Sequence, residues 1–323
     1  MRFDSTLEAI QESREFAQLA RLQAERCVHD GDADAAWGWL LAVVRASRHV
    51  EQNGCLIQRL VGIAIHHSAT DGINRWAANP KVTTDLLRKA LAELHEADQL
   101  TPPISVAMKT EYLVLRNTLW DAKSLTDLME MGGSSTGPQS IQSSALYVMG
   151  EPELSLKVFQ HVFANQLSEI DKPMRDRAPT VGMFHLYNLP PGTSRCLPAF
   201  DLDKVVHSAH LVRLTLPAYQ QFDVATQRES VRRAVVPVML GCQLHRRLHG
   251  DWPAKVAGLV PDILTELPQD PLGKSGELLR LKRDGEDLLI YSVGADGVDD
   301  GGNICGSGGT NTEETPDQGI RAK

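Results

Sequence analysis

Residues 5–30 set Ala17, Ala20, Ala24, Cys27 and Val28 along one face at a spacing of three and four, and Asp30-Gly31-Asp32 then breaks the run. That spacing is the period of an α-helix, and laid out as a strand it would scatter the apolar residues over both faces. Ala33 opens a second stretch of the same kind through Trp37, Leu40, Leu41 and Val44. Two helices joined by a tight glycine turn form an antiparallel pair, the unit of helical-repeat proteins. A third stretch, near Cys55–Ala69, is apolar almost all round (Leu56, Ile57, Leu60, Val61, Ile63, Ala64, Ile65), which predicts the buried centre of the helical layer. Thr83 or Thr84 caps a fourth helix carrying Leu86, Leu87, Leu91 and Leu94, and Thr101-Pro102 starts a fifth, because proline is tolerated in a first turn. No fixed period recurs. The expectation for residues 1–222 is predominantly α: antiparallel helical pairs, helical-repeat-like but not a named solenoid.

Gly132-Gly133-Ser134-Ser135-Thr136-Gly137-Pro138 marks a long loop near 131–146, and a helix from about Glu153 to Ile170 follows it. The stretch 171–203 is rich in proline and glycine and carries Arg175, Arg177, His185, Tyr187 and Arg195, a candidate groove-lining segment. From Gln227 a long helix runs towards Leu248 with Val231, Val235, Val238, Leu240 and Cys242 available for burial. Pro237 predicts a kink or a split in it, since proline removes a backbone hydrogen bond, and His249-Gly250 supplies the end. Leu278–Leu281 and Leu288–Tyr291 read as two strands joined near Asp284-Gly285. Residues 223–302 are therefore expected to form a small α+β module with an antiparallel hairpin. Residues 303–323, mostly Gly, Ser, Thr, Asn and acids, are expected to be a disordered tail.

The order helix, Gly250-x-Trp252-Pro253, leucine-rich turn (Leu259, Pro261), Pro268-x-Asp270-Pro271-x-Gly273-Lys274, hairpin, Tyr291-Ser292-x-Gly294-x-Asp296-Gly297-x-Asp299-Asp300-Gly301 resembles the globular part of the major pseudopilins of type II secretion. It resembles still more closely the C-terminal ends of uncharacterised bacterial proteins that join such a module to a helical region. The resemblance covers about residues 240–302 and leaves the front of the chain without a pseudopilin counterpart. It implies the small fold and a calcium loop, with Asp296, Asp299, Asp300 and Ser292 as the matching ligand positions beside loop carbonyls. Three carboxylates and loop carbonyls approach the 6–8 oxygens that calcium prefers. The bland alternative is a solvated acidic turn capped by glycines, and the family's further acidic ligands are replaced here by Asn303-Ile304-Cys305-Gly306. The assembly helix of a pseudopilin is also missing from the N-terminus, so a filament subunit is not expected.

Charge narrows the function. Lys plus Arg is 33 against 41 Asp plus Glu, and no basic block occurs, so neither nucleic acid nor an anionic membrane surface is expected as a partner. Met1 to Asp30 is charged throughout, no stretch is long and apolar enough to span a membrane, and the chain as given reads as soluble. That makes it cytoplasmic, or envelope-associated if an N-terminal anchor has been removed. The five cysteines (Cys27, Cys55, Cys196, Cys242, Cys305) lack Cys-x-x-Cys spacing and read as free thiols. Gly273-Lys274-Ser275 is no phosphate loop, because Pro268 stands where that motif needs glycine. His207 with His210, and His245 with His249, have the spacing to face one ligand, but no glutamate of a zinc-protease helix lies between them; packing or surface roles are the better reading. Two classes of function remain. One is a non-enzymatic scaffold whose helical pairs bind a protein or peptide and whose C-terminal module is a calcium-holding cap. The other is an enzyme with its site between the helical region and the 171–203 loop, drawing on Arg175, Arg177, His185, His207 and His210.

Overall fold

A computed structural model describes residues 3–121, 150–177, 180–181, 186–187, 212, 217–304 and 317–323. The helices are α1 (Phe3–Asp30), α2 (Ala33–Glu51), α3 (Leu56–Ala78), α4 (Thr84–Gln99), α5 (Ile104–Trp120), α6 (Glu151–Glu169) and α7 (Pro217–His249). The strands are β1 (Thr180–Val181), β2 (Leu186–Tyr187), β3 (Arg280–Asp284), β4 (Asp287–Ser292) and β5 (Gln318–Ala322). The fold is mostly helical with a small C-terminal antiparallel sheet, as the period of the sequence predicts. The linker around Gly132–Pro138 and most of 178–216 lie outside the described residues.

The α1–α2 turn shows how the sequence ends one helix and starts the next. Gly31 adopts φ +87°, and the amide of Asp32 donates to the Cys27 carbonyl at 2.9 Å, closing the end of α1. The Asp32 carboxylate then accepts from the Ala35 amide at 3.0 Å and caps α2. Thr83, not Thr84, caps α4 by accepting from Leu86 N at 3.2 Å. Two tryptophans anchor the packed pairs: Trp37 and Trp76 are each 1% exposed with ring centroids 5.0 Å apart. Their indole N–H groups donate to Glu93 Oε2 at 2.6 Å and to the Ala33 carbonyl at 2.8 Å, so both bury their rings with the polar end satisfied.

The third helix puts Val61, Ile65, Ala69, Ile73, Trp76 and Ala77 in the main core but keeps one exposed face, along Ile57, Ala64, His67, Asp71 and Arg75, so it is less completely buried than its apolar run predicts. That core is continuous. It joins α1–α4 to α7 through Val231, Val235, Val238 and Leu240, and goes on into the module through Leu259, Leu288 and Ile290. A second core, around Met108, Phe159, Phe163 and Phe222, packs α5 against α6 and the start of α7. The expected boundary between residues 222 and 223 falls inside α7, which serves both cores. Pro237 neither splits nor ends that helix; α7 is assigned without a break from Pro217 to His249.

The tail is the main correction. Residues 305–316 lie outside the described residues, but Gln318–Ala322 is a strand, not a disordered end. It pairs antiparallel with β4, Ile290 opposite Ile320 and Leu288 opposite Ala322, giving the sheet order β3-β4-β5. A hairpin whose second strand is almost wholly buried cannot leave that strand's outer edge unpaired, and β5 supplies the missing hydrogen bonds. Gln243 Nε2 donates to the Lys323 carbonyl and Asn74 Nδ2 to the Arg321 carbonyl, both at 2.8 Å, fastening the end of the chain to α7 and α3.

Candidate functional site

The motifs that carry the resemblance prove to be the module's framework. Gly250, at φ +81°, ends α7 with its amide on the Arg246 carbonyl at 2.8 Å. Trp252 donates from its indole to the Glu286 carbonyl at 2.9 Å and lies 4.5 Å beneath the Arg246 guanidinium. Asp270 is fully buried. Its Oδ1 accepts from the amides of Leu272 at 3.0 Å and Gly273 at 3.1 Å and from the Ser292 hydroxyl. Its Oδ2 accepts from the Val293 amide at 3.1 Å and from Arg280 Nη1 at 3.2 Å. One carboxylate thus folds the Asp-Pro-Leu-Gly-Lys turn and ties it to the end of β4.

Of the candidate calcium ligands, Ser292 is fully buried with its hydroxyl on Asp270. Asp296 Oδ1 accepts from the Val298 amide at 3.0 Å, a local turn. Asp299 Oδ1 accepts from Tyr291 Oη at 3.2 Å and from the Gly301 amide at 2.9 Å, and its Oδ2 lies 3.0 Å from Arg280 Nε. Among the described residues, no three His, Cys, Asp or Glu side chains gather as a metal site. The sequence reading missed Asp317. It is 1% exposed, its Oδ2 accepts from the Gly302 amide at 2.7 Å, and its Oδ1 is buried without a hydrogen-bond partner. Burial raises its carboxyl above the usual range; the backbone amides of Gly302 and Asp300 pull it down, and the charges of Asp299 and Asp300 push it up. A partnerless buried carboxylate oxygen facing like charges is what a hard cation satisfies.

The largest concentration of buried charge lies elsewhere, where α2, α3, α4 and α7 meet. Arg48 on α2 is fully buried and reaches Asp98 Oδ1 at 2.8 Å, Glu229 Oε1 at 3.3 Å and Glu51 Oε1 at 3.8 Å. Arg59 on α3 places Nη1 2.8 Å from Glu51 Oε2 and donates to the Pro102 carbonyl at 3.0 Å. His66, one helical repeat further along α3, sets Nδ1 2.6 Å from Glu229 Oε1, while Arg232 holds the other oxygen at 3.1 Å. Burial pushes Glu51 up from 4.5 to about 7 against the pull of Arg59 and Arg48. Burial would raise Glu229 too, but His66, Arg232 and Arg48 outweigh it and hold that carboxylate at about 2. Burial moves His66 down, and the charge of Glu229 beside it pulls the other way.

Part of this cluster lines an open cleft of about 640 Å³. Its walls include Arg59, Thr101, Ile104, Lys172, Met174, Arg177, Glu229, Arg233 and Asp270. The cleft sits beside the first residues of the 171–203 stretch, near the enzymatic site expected from sequence. Of the residues named for that site, only Arg177 can be followed as a side chain. It is held by Asp223 at 3.3 Å and by the carbonyls of Ile170 at 2.7 Å and Lys172 at 3.2 Å. Arg175 lies in the turn Met174–Asp176, and His185, Arg195, His207 and His210 lie outside the described residues. Tyr187 sits in β2, opposite Thr180. His245 and His249 stack with ring centroids 4.5 Å apart, and His245 Nδ1 bonds the Asp251 carbonyl, a packed pair.

One signal for the charged cluster was in the sequence. Arg59 interrupts the apolar run of α3, and a charge at the centre of such a run is buried only with a counter-charge. The identity of that counter-charge was not there, since Glu229 is 181 positions from Arg48. Cys27, Cys55 and Cys242 are free thiols. No described helix is long and apolar enough to cross a membrane. No protein-family model, curated protein or solved structure matches this chain.

Proposed function

We propose that this protein is a non-catalytic interaction scaffold: helical pairs present a surface to a protein partner, and a pseudopilin-like module braces their far end. One observation carries the reading, the direction in which the His66–Glu229 pair is turned. A catalytic dyad exposes its imidazole to substrate and keeps the carboxylate behind it. Here both members are buried, Glu229 2% and His66 1% exposed, and of the two only Glu229 reaches the wall of the cleft. A carboxylate held at about 2 is also a poor base at neutral pH. The guanidiniums around it are spent on Glu51, Asp98 and backbone carbonyls. Such a cluster is a brace.

Glu229→Gln tests this. As a brace, Glu229 holds Arg48, Arg232 and His66, and its loss costs about 3–5 kcal/mol, which lowers Tm by roughly 6–10 °C. Catalytic residues, in contrast, commonly cost stability, so a variant as stable as the wild type sinks the scaffold reading and favours the enzymatic one at the same cleft.

The partnerless Asp317 oxygen favours a second property, calcium drawn to that oxygen and the carbonyls of the closing loop by the nearby charges of Asp299 and Asp300. A ligand that binds only the folded state raises Tm by mass action. Calcium is expected to raise Tm relative to chelator, and Asp299→Ala with Asp300→Ala to abolish the effect. Identical melting with calcium and chelator ends the proposal.

A further inference from the structure

β5 is held as a bound peptide is held, mostly by its backbone. Its ladder on β4 runs from Gln318 opposite Ser292 to Ala322 opposite Leu288. Two donors reach its carbonyls from helices far away in the chain, Asn74 Nδ2 on α3 to Arg321 and Gln243 Nε2 on α7 to Lys323. Its side chains add little. Ala322 is fully buried in the main core and Ile320 packs against that core half-buried, whereas β4 sets Leu288 and Ile290 wholly inside it. The ion pair of Arg321 with Asp284 is half exposed at both partners. Taking β5 away leaves the core nearly whole and bares one strand edge, flanked by Asn74 and Gln243.

Such an edge is the receiving half of β-strand addition, where main-chain hydrogen bonds give affinity and alternate side chains give specificity. The resident strand spells that specificity. Ile320 and Ala322 turn to the core, and a Cβ at Gly319 would lie 2.2 Å from the Ile290 carbonyl oxygen. A strand that fits carries glycine, then an apolar residue, then any residue, then a small one. We infer that the outer edge of β4 is a peptide-binding site with residues 317–323 as its resident ligand, and that the scaffold's protein partner enters it as an extended strand of this pattern, displacing β5. The inference rests on the scaffold reading and names where and how the partner docks. Carried on the same chain, the resident competes at an effective concentration on the order of 1 mM.

The probe is a fluorescein-labelled peptide of residues 317–323, followed by fluorescence anisotropy with the full chain. Gly319→Ala, whose added Cβ strikes backbone, expels the resident and opens the edge. With a Kd of about 10 μM for that variant, a resident at about 1 mM weakens binding to the wild type about 100-fold. Asn74→Leu added to Gly319→Ala raises Kd about fivefold, because one hydrogen bond is lost. A peptide with alanine at the glycine position binds neither chain. Circular dichroism checks that the Gly319→Ala chain keeps its helices. A chain that loses them overturns the inference, since β5 is then part of the fold and not a ligand of it. So does a folded variant that leaves the peptide free at about 1 mM, binds it no better than the wild type does, or accepts the alanine peptide equally. None of these outcomes alters the Glu229→Gln result, so the scaffold reading stands or falls separately.

Discussion

Glu51→Gln separates a buried acid that helps the fold from one that the fold merely tolerates. Glu51 closes α2, is 1% exposed, and packs where α3 comes closest: a Cβ added at Gly62 would lie 2.3 Å from Glu51 Cγ. Burial moves its carboxyl from 4.5 to about 7, although Arg59 and Arg48 pull the other way. The folded state therefore binds a proton that the unfolded state has released between about pH 4.5 and 7. A group raised in this sense lowers stability as pH rises through that window, and the loss is complete above it. At about 1.4 kcal/mol per pH unit the full effect is about 3 kcal/mol. Glutamine copies the shape of the protonated acid and cannot ionise. The variant is expected to match the wild type near pH 5 and to exceed it by about 3 kcal/mol at pH 8, roughly 6 °C in Tm for a chain of this size. Thermal unfolding followed by circular dichroism at the two pH values measures this, and other titrating groups cancel in the difference. If the glutamine variant is the less stable at pH 8, the ionised Glu51–Arg59 pair is a net stabiliser and the argument from burial is wrong.

Gly319→Ala is expected to detach β5. The added Cβ would lie 2.2 Å from the Ile290 carbonyl oxygen and 2.8 Å from Tyr291 Cα, both backbone, so the strands must separate; a loss above about 2 kcal/mol is expected in urea titration, and an unchanged midpoint would contradict the pairing. Arg247 Nη2 donates to the carbonyls of Ala77 and Asn79, each at 2.8 Å, and Nη1 to that of Val82, closing the end of α3 with a cation. Arg247→Met should cost about 2 kcal/mol by the same titration, and lysine should recover only part of it, since one ammonium cannot span those carbonyls. Trp252→Phe removes the hydrogen bond to Glu286 and weakens the stacking with Arg246, an expected loss of about 1–2 kcal/mol that a neutral melting result would refute.

The helices were legible because the period of apolar residues is local. Gly31 and Asp32 mark the first turn without reference to the rest of the chain, and the apolar run of α3 names its place in the core, though not the face along Ile57 and Ala64 that stays exposed. β5 was not legible. Gln-Gly-Ile-Arg-Ala has little to bury, and what makes it a strand is the exposed edge of β4, some thirty positions upstream, together with Gln243 and Asn74. Composition measures what a segment can bury on its own, not which edge awaits it. The acidic loop misled in the same way. Asp296, Asp299 and Asp300 stand out in the sequence, yet the buried and partnerless oxygen of that region belongs to Asp317, in the segment expected to be a tail.

The cluster around Arg48 explains something that apolar packing leaves undecided. A helix with apolar residues on most of its circumference, as the first turns of α3 have, can be turned about its axis and still bury hydrocarbon. Arg59 and His66 remove that freedom. They lie seven positions apart, on one face, and only one rotation brings them to Glu51 and Glu229. Any other would bury the guanidinium and the imidazole away from hydrogen-bonding partners, which costs several kcal/mol. On α7, Glu229 with Arg232 and Arg233 fixes the rotation of that helix in the same way, against Arg48, His66 and Asp98. An ion-pair network of this kind contributes little net stability compared with well-packed apolar side chains, but it penalises wrong dockings of distant segments. The side chains that look most like chemistry in this protein are the ones that set the rotation of its central helices.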